Sequence, residues 1–291
     1  MPELPEVEVT RLGLLPHLPT QKITDIWWSG KKLRTDMPIK LLQNTINQQA
    51  ITTIDRRAKY LLFRMANKAV LIIHLGMTGK LSLLEKNIPK AKHDHLALSL
   101  SNGKEIRFND SRRFGSVTVW PPEKAEELEH EFSTKEGMEP LGEQFTAQTL
   151  LALASNKKLA IKPFLMNSKY VAGIGNIYAN ETLFKAGIHP TTPAQHITKK
   201  QWQKIIEAAT TTLRQAIEAG GTTISDFLGS SGQPGYFQLQ LNVYGKKNEA
   251  CPQCKSPVMK TELAGRSTFC CPQCQPVQQI AAKPCRKKDT S

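Results

Sequence analysis

The chain has 291 residues, of which 40% are hydrophobic and 22% are charged, so it is long enough for two domains that each bury a core. It contains no run of about 18 apolar residues and no basic N-terminal stretch leading into an apolar one. This excludes a membrane span and a signal peptide and predicts a cytoplasmic protein. Lys and Arg exceed Asp and Glu by 14, which predicts a polyanionic partner such as nucleic acid, with a merely soluble basic surface as the alternative.

Residues 1–18 are predicted to form a helix, because Pro5 suits its first turn and the acidic residues near its start suit the positive end of the helix dipole. Its predicted apolar face consists of Leu4, Val7, Leu12 and Leu15. Eight short β-rich runs follow between Ile23 and Trp120. They are ITDIWW, AITTID, YLLFRM, AVLIIHL, KLSLL, HLALSLS, KEIRF and SVTVW. Many short strands and few helices predict a sandwich or barrel-like domain.

Residues 121–145 hold eight Glu against two Lys and are predicted to form a solvated helix and a linker. Helical periodicity then returns in FTAQTLLALASN, NIYANETLFKAG and TKKQWQKIIEAATTTLRQAIEAG, which predicts a second, helical domain. Residues 221–244 are rich in Gly and lack periodicity, so they predict a long flexible loop. The basic tail after Gln275 is predicted to be disordered.

Four of the six cysteines form two Cys-Pro-Gln-Cys knuckles separated by sixteen residues. Two such knuckles place four thiolates around one Zn²⁺, and a reducing cytosol disfavours disulfides. The predicted ligands are Cys251, Cys254, Cys271 and Cys274. Because four thiolates fill the coordination sphere, this zinc is predicted to be structural, and the catalytic centre must lie elsewhere.

Several basic and glycine-rich motifs are candidates for contacts with DNA. Lys59 lies in RRAKY, Met77 in HLGMTGK, and Arg112 and Phe114 in NDSRRFG. Together they suit a probe in which an apolar wedge enters the base stack and a cation fills the space of an extruded base. The alternative is that Lys59 lies in a basic surface turn and that Met77 and Phe114 are core residues. AGIGNIYANE suits a phosphate site at a helix start.

These segments together resemble the formamidopyrimidine-DNA glycosylase family of bacterial base-excision repair enzymes. The resemblance covers residues 1 to about 275 and rests on motifs that occur in the family's order: MPELPEVE, RRAKYLL, HLGMTGKL, KHDHLAL, SRRFG, KKLAIKPFLM, GIGNIYANE, GIHP, GGTT, PGYF and CPQC…GRSTF…CPQCQ. It implies an α+β multidomain fold: an N-terminal β-sandwich with flanking helices, a helix-two-turn-helix domain and a C-terminal β-hairpin zinc finger. The implied units are the catalytic domain 1–132, a linker 133–150, the helical domain with its lesion loop 151–236, the zinc finger 237–275 and the tail 276–291.

The resemblance implies a monomeric, zinc-containing enzyme that excises oxidised purines from double-stranded DNA and then nicks the abasic site by β,δ-elimination. Pro2 is the implied nucleophile once Met1 is removed, since an α-amino group has a pKa of about 8 rather than about 10.4 for lysine. Glu3 is the implied proton donor to the sugar ring oxygen. Lys59 and Arg266 are the implied residues for the first and second elimination.

The implied DNA contacts are His93, Arg112, Lys157, Met77, Phe114 and Asn176, and Glu6 lies where the family builds its lesion pocket. Four positions depart from the family pattern. Ser111 replaces a proline and Cys270 an aromatic residue, while Ser225 and Ser231 alter the lesion loop. They put lesion preference in doubt and place an extra thiol beside Cys271.

Two other functions share parts of this sequence pattern. An endonuclease VIII-type glycosylase for oxidised pyrimidines shares the proline nucleophile, but its start typically reads MPEGPE, whereas this chain has Leu4. A catalytically inactive zinc-finger DNA-binding protein would have lost Pro2 or Glu3, and both are present. The oxidised-purine enzyme is therefore favoured.

Overall fold

The computed structural model describes residues 2–220 and 241–277. Most of the predicted lesion loop, including Ser225 and Ser231, and almost all of the tail lie outside the described residues. Among the helices that the structure describes, none combines the length and the apolar character needed to cross a membrane.

Two four-stranded antiparallel sheets make up the N-terminal part of the chain. The strands are β1 Ile23–Trp28, β2 Ile51–Arg57, β3 Tyr60–Met65, β4 Val70–His74, β5 Lys80–Glu85, β6 Asp94–Leu100, β7 Lys104–Asn109 and β8 Ser116–Trp120. Their orders are β1-β6-β7-β5 and β2-β3-β4-β8. Side chains from both sheets, such as Phe63 and Phe108, share one buried apolar core. The predicted β-sandwich is confirmed.

Helix α1, Leu4–Leu14, differs from the predicted span of 1–18, because Leu15 to His17 form a turn. Leu4 and Val7 are fully buried as predicted, but Leu12 is 43% exposed. The second half of the predicted apolar face was therefore wrong, and Leu14 lies in the core instead.

Helix α2, Ile39–Ile46, was not predicted, since it interrupts a long β-rich region. Its Leu42 and Ile46 are buried at helical spacing. Helix α3, Ala125–Lys135, occupies the acidic stretch. The prediction of a merely solvated helix was incomplete, because Leu128 and Phe132, four residues apart, pack on the outer face of the sheet that contains β3 and β4.

The helical domain contains α4 Ala147–Ala154, α5 Ile161–Met166, α6 Asn176–Ala186 and α7 Lys199–Glu218. These helices surround a second core that includes Phe164, Tyr178 and Trp202. The sequence predicted α4, α6 and α7, but not the short α5. Strands β9 Met259–Leu263 and β10 Arg266–Cys270 form a C-terminal hairpin beside the four predicted metal ligands.

Candidate active site and nucleic-acid interface

The chain start lies against the N-terminus of helix α6. Glu3, which precedes α1, is 1% exposed and accepts backbone N–H groups from Gly175 at 2.7 Å, Ile177 at 2.9 Å and Tyr178 at 3.3 Å. A helix N-terminus offers free N–H groups and positive potential, so it suits a carboxylate. Pro2, partly exposed, is held beside this site by its peptide bond to Glu3.

The protonation of Glu3 reflects opposing effects. Burial raises the pKa of the Glu3 carboxyl above its ordinary value, although the Lys59 ammonium and the backbone N–H groups of Ile177 and Tyr178 act to lower it. A carboxyl with a raised pKa is suited to donating a proton near neutral pH.

Glu6, one turn further along α1, forms hydrogen bonds to both sides of the Glu3 site. Its Oε2 accepts the backbone N–H of Glu3 at 2.9 Å, and its Oε1 accepts the Tyr178 hydroxyl at 2.7 Å. Glu6 therefore connects the chain start to α6, and it lies where the resemblance places the lesion pocket.

Lys59 lies in the tight turn between β2 and β3 and reaches across to the helical domain. Its Nζ lies 3.4 Å from the carbonyl oxygen of Ile174, just before α6. Burial lowers the pKa of the Lys59 ammonium below its ordinary value, although the nearby carboxyl groups of Glu3, Glu136 and Glu6 act to raise it. The alternative of an ordinary basic surface turn was wrong, because Lys59 faces the Glu3 site.

The turn that carries Lys59 is held by the segment after α3. Ala58 has a left-handed φ of 53°, and its N–H donates to the Glu139 carboxylate. Arg56 and Arg57 also pair with Glu139, at 2.8 and 3.1 Å. The acidic stretch thus supports the turn that carries Lys59 as well as presenting charge to solvent.

His74, at the end of β4, was not singled out from the sequence. Its Nδ1 accepts the Gly76 N–H at 3.1 Å, which leaves the proton on Nε2. Burial, together with Lys59 and Arg34, lowers the pKa of His74 to about 4. His74 is therefore neutral near pH 7, and its Nε2–H can donate a hydrogen bond close to Lys59. Its place in the HLGMTGK motif is the sequence feature that could have identified it.

Met77, Arg112 and Phe114 lie on two adjoining loops. Phe114 is 45% exposed, and the Arg112 guanidinium lies 4.7 Å from the centre of its ring. Phe114 is therefore not a core residue, and Met77 is half-buried. The two loops, which we name the protrusion, together carry two apolar side chains and one cation.

Buried Asp110 joins the two loops of this protrusion. Its carboxylate accepts the Thr78 hydroxyl and, at 2.8 Å, the Gly115 N–H. The Thr78 oxygen in turn accepts the Arg112 N–H at 3.1 Å. A Cβ on Gly76, which has φ +66°, would lie 2.4 Å from the backbone of the second loop, so this close approach requires glycine.

The other three predicted DNA contacts lie on separate segments of the chain. The carbonyl of half-buried His93 accepts the Asp110 N–H at 2.9 Å, which places His93 beside the Arg112 loop. The Lys157 ammonium lies 5.5 Å from the ring centre of Tyr170. Asn176 is the first residue of α6, and its Nδ2 donates to the carbonyl of Ser267 at 3.1 Å.

Arg266 is exposed at the start of β10. Close to it lies Lys162 of α5, which was not singled out from the sequence although it interrupts the apolar run IKPFLM. Lys162 is 1% exposed and donates to the Ser267 carbonyl and the Thr268 hydroxyl, both at 2.8 Å. Burial and the nearby Arg266 lower the pKa of Lys162 to about 8.

The four predicted metal ligands converge, with their Sγ atoms all within 4.8 Å of one another. Cys251 and Cys274 are 3.8 Å apart, and Cys254 and Cys271 are 3.4 Å apart. A tetrahedron of thiolates at about 2.3 Å from a metal has edges of about 3.8 Å, so the set fits one metal ion. The extra thiol, Cys270, is directed instead toward His189, 4.0 Å away.

Comparison with known proteins agrees with this arrangement. Residues 1–117 match the model of the formamidopyrimidine-DNA glycosylase N-terminal domain, and residues 137–228 match that of its H2TH domain. The chain is 45% identical over 275 residues to the formamidopyrimidine-DNA glycosylase of Vibrio cholerae and 46% identical over 279 residues to that of Vibrio parahaemolyticus. Each alignment covers 94% of this chain and 100% of the relative.

Solved structures of the Lactococcus lactis enzyme have the same fold. Its complex with DNA containing N7-benzyl-Fapy-dG has a TM-score of 0.85 and 34% identity, covering 95% of this chain and 100% of that one. A complex with abasic-site DNA has a TM-score of 0.84 and 32% identity, covering 94% and 100%. A third, with DNA containing an oxidised pyrimidine, has a TM-score of 0.85 and 34% identity, covering 95% and 100%. On the sequence, the fold and the site together, the chain belongs to the formamidopyrimidine-DNA glycosylase family.

Proposed function

We propose that this protein is a bifunctional DNA glycosylase and AP lyase of base-excision repair. Its substrates are oxidised purines, such as 8-oxoguanine and formamidopyrimidines, in double-stranded DNA in the bacterial cytoplasm and nucleoid. The observation that carries the proposal is the convergence of Pro2, Glu3 and Lys59 at the N-terminus of α6, between the sandwich and the helical domain. A nucleophile, an acid and a cation meet there.

The first step of the proposed reaction takes place at Pro2, which becomes the chain terminus when Met1 is removed. Its secondary amine attacks C1′ of the damaged nucleotide and the N-glycosidic bond breaks. The base leaves with the electron pair of that bond and takes up the proton that the amine loses. Glu3 donates a proton to the ring oxygen as the C1′–O4′ bond breaks. C1′ remains bonded to Pro2 as an iminium.

The iminium then acts as the electron sink for strand cleavage. Loss of the C2′ proton expels the 3′ phosphate, and loss of the C4′ proton expels the 5′ phosphate. Lys59, whose pKa is lowered by burial, is the proposed proton donor for the first departing phosphate. Arg266, exposed on the hairpin, assists the second.

Extrusion of the damaged nucleotide is assigned to the protrusion described above. Met77 and Arg112 fill the space left in the duplex, and Phe114 wedges the opposite strand. The exposure of Phe114 supports this role, since an apolar wedge must reach the base stack. His93, Lys157 and Asn176 are the proposed phosphate contacts, and Glu6 lines the lesion pocket.

The four converging thiolates are proposed to hold one structural Zn²⁺ through Cys251, Cys254, Cys271 and Cys274. Zinc is the metal that a set of four thiolates at this spacing favours, and it stabilises small modules that lack a large core of their own. The protein is proposed to act as a monomer, since one chain supplies the nucleophile, the acid and the protrusion.

The substrate class is tested with four duplexes that differ at one position: 8-oxoguanine, a formamidopyrimidine, an oxidised pyrimidine, and undamaged guanine. Single-turnover base release and strand nicking are measured on each. We expect both purine lesions to be released at least about tenfold faster than the pyrimidine. Faster release of the pyrimidine would support an endonuclease VIII-type specificity instead. The pyrimidine duplex is included because the Lactococcus lactis enzyme has been solved in complex with DNA containing an oxidised pyrimidine.

A further inference from the structure

Asn180, in the middle of α6, fixes the hairpin strand β10 to the helical domain. The Asn180 side chain is fully buried. Its Oδ1 accepts the backbone N–H of Phe269 at 2.7 Å, and its Nδ2 donates to the carbonyl of Asn176 at 2.6 Å. The oxygen and the nitrogen of the amide are therefore both hydrogen-bonded, the oxygen to the hairpin and the nitrogen to the helix.

Two neighbouring side chains extend this attachment toward the tip of the hairpin. Lys162 and Asn176 both donate to the carbonyl of Ser267, and Lys162 also donates to the Thr268 hydroxyl. The Thr268 hydroxyl donates to the carbonyl of Arg266 at 3.1 Å. The backbone from Arg266 to Phe269 is thus held by side chains of α5 and α6, which we name the hairpin clamp: Lys162, Asn176 and Asn180.

The base of the zinc module is attached separately, further along α6. Phe184 lies in the module's own apolar core with Val243 and Val258. Glu181 accepts the backbone N–H groups of residues 242–244. A variant that weakens only the clamp should therefore leave the base of the module docked.

We propose that Asn180 is a positioning residue for Arg266, whose place it sets by fixing the hairpin strand. This inference rests on the proposed function, in which Arg266 assists the second elimination. In that step a solvent water takes the C4′ proton, the electron pair of the C4′–H bond extends the conjugated system, and the C5′–O bond breaks with the 5′ phosphate taking that bond's electrons. Without the Asn180 amide, the Phe269 N–H loses its buried acceptor and the strand shifts to find another.

The test uses the full-length zinc-loaded protein and a duplex containing a preformed abasic site. The measured quantity is the ratio of fully processed 3′-phosphate ends to 3′-unsaturated aldehyde ends, which reports the second elimination relative to the first. We expect Asn180→Leu, and Asn180→Ala measured in parallel, to lower this ratio about tenfold while the first elimination changes by less than about threefold. Asn180→Asp retains an acceptor for the Phe269 N–H and should restore most of the ratio.

Thr182→Val is the matched control, because Thr182 is fully buried on the same helix and its hydroxyl has no hydrogen-bond partner among the described residues. It should keep the wild-type ratio. An unchanged ratio in both Asn180→Leu and Asn180→Ala, or an equal loss of both eliminations, overturns the inference alone. Wild-type protein that yields no 3′-phosphate ends overturns the proposed second elimination and the inference with it.

Discussion

The Glu3 carboxylate lies 2.7 Å from the backbone nitrogen of Gly175, across the boundary between the β-sandwich and the helical domain. A Cβ on Gly175 would lie 2.4 Å from the Glu3 carboxyl carbon, so only glycine permits this approach. The contact places the first residues of the chain at a helix N-terminus, where positive potential attracts anions. The first residues of the chain are consequently fixed at the boundary between the two domains.

Replacing Glu3 should separate the two chemical steps. We expect Glu3→Gln to reduce excision of 8-oxoguanine at least about a hundredfold, because the amide cannot donate the proton to the ring oxygen. Cleavage at a preformed abasic site should fall by less than about tenfold, since the glycosidic bond is already broken there. Both are measured in single-turnover assays.

Glu85→Gln is the control for this experiment, because Glu85 is exposed at the end of β5 and pairs with Lys104, in the sheet that does not carry Lys59. It should retain both activities. An equal loss of excision and abasic-site cleavage in Glu3→Gln would remove the role assigned to Glu3.

Truncation of Phe114 should impair extrusion of the lesion without unfolding the protein. Because Phe114 is 45% exposed, Phe114→Ala should change the free energy of unfolding by less than about 0.5 kcal/mol. Excision from a fully paired duplex should fall about tenfold or more, since the wedge is lost. Leu12→Ala removes a similarly exposed apolar side chain, 43% exposed, from α1 and should leave excision unchanged. A loss of stability in Phe114→Ala would show that Phe114 is a packing residue instead.

Removal of the metal should abolish DNA binding rather than only slow the chemistry. The module that carries Arg266 has a small core, so we expect its fold to depend on the proposed ion. We expect one Zn²⁺ per chain by elemental analysis, and loss of that ion in Cys254→Ser. Cys270→Ser should keep the full zinc content, because the Cys270 thiol is directed toward His189. Normal DNA binding by metal-free protein would contradict a structural role for zinc.

The lowered pKa of His74 predicts how stability depends on pH. Between its ordinary pKa of 6.5 and about 4 in the folded protein, the unfolded chain binds a proton at His74 that the folded protein does not. The contribution of neutral His74 to the free energy of unfolding is therefore fully present above about pH 6.5 and is lost as the pH falls to 4. Because His74 is partly exposed to solvent, we expect a contribution of about 1–2 kcal/mol.

Urea denaturation at pH 7 and pH 4.5 measures this contribution. His74→Gln should lose less stability than the wild type between the two pH values. His196→Gln, which alters an exposed histidine, should follow the wild type. An identical pH dependence of the wild type and His74→Gln would contradict the assignment.

The local features of the fold were predictable from sequence. The runs ITDIWW, YLLFRM and SVTVW coincide with β1, β3 and β8, because they are short and rich in β-branched and aromatic residues, which favour strands. Helix α2 was missed because its eight residues carry only two turns of helical periodicity inside a β-rich region. The four-cysteine site was predictable from spacing alone, since its ligands lie in two short knuckles.

The candidate site was predictable only through the family resemblance. Glu3 and Gly175 are 172 residues apart in sequence, and no local pattern brings them together. The contact between Asn180 and Phe269, 89 residues apart, was missed for the same reason. A buried polar side chain such as Lys162 or Asn180 acquires its role from the domain that packs against it.

The Pro2 nitrogen is the atom proposed to form the covalent bond to the DNA. Intact-mass measurement first establishes the fraction of protein from which Met1 has been removed, because Pro2 can attack only as a free amine. Borohydride reduction during reaction with an 8-oxoguanine duplex should then trap an adduct, and peptide mapping should locate it on the N-terminal peptide at Pro2. An adduct on Lys59, or no adduct with protein that lacks Met1, would contradict the account.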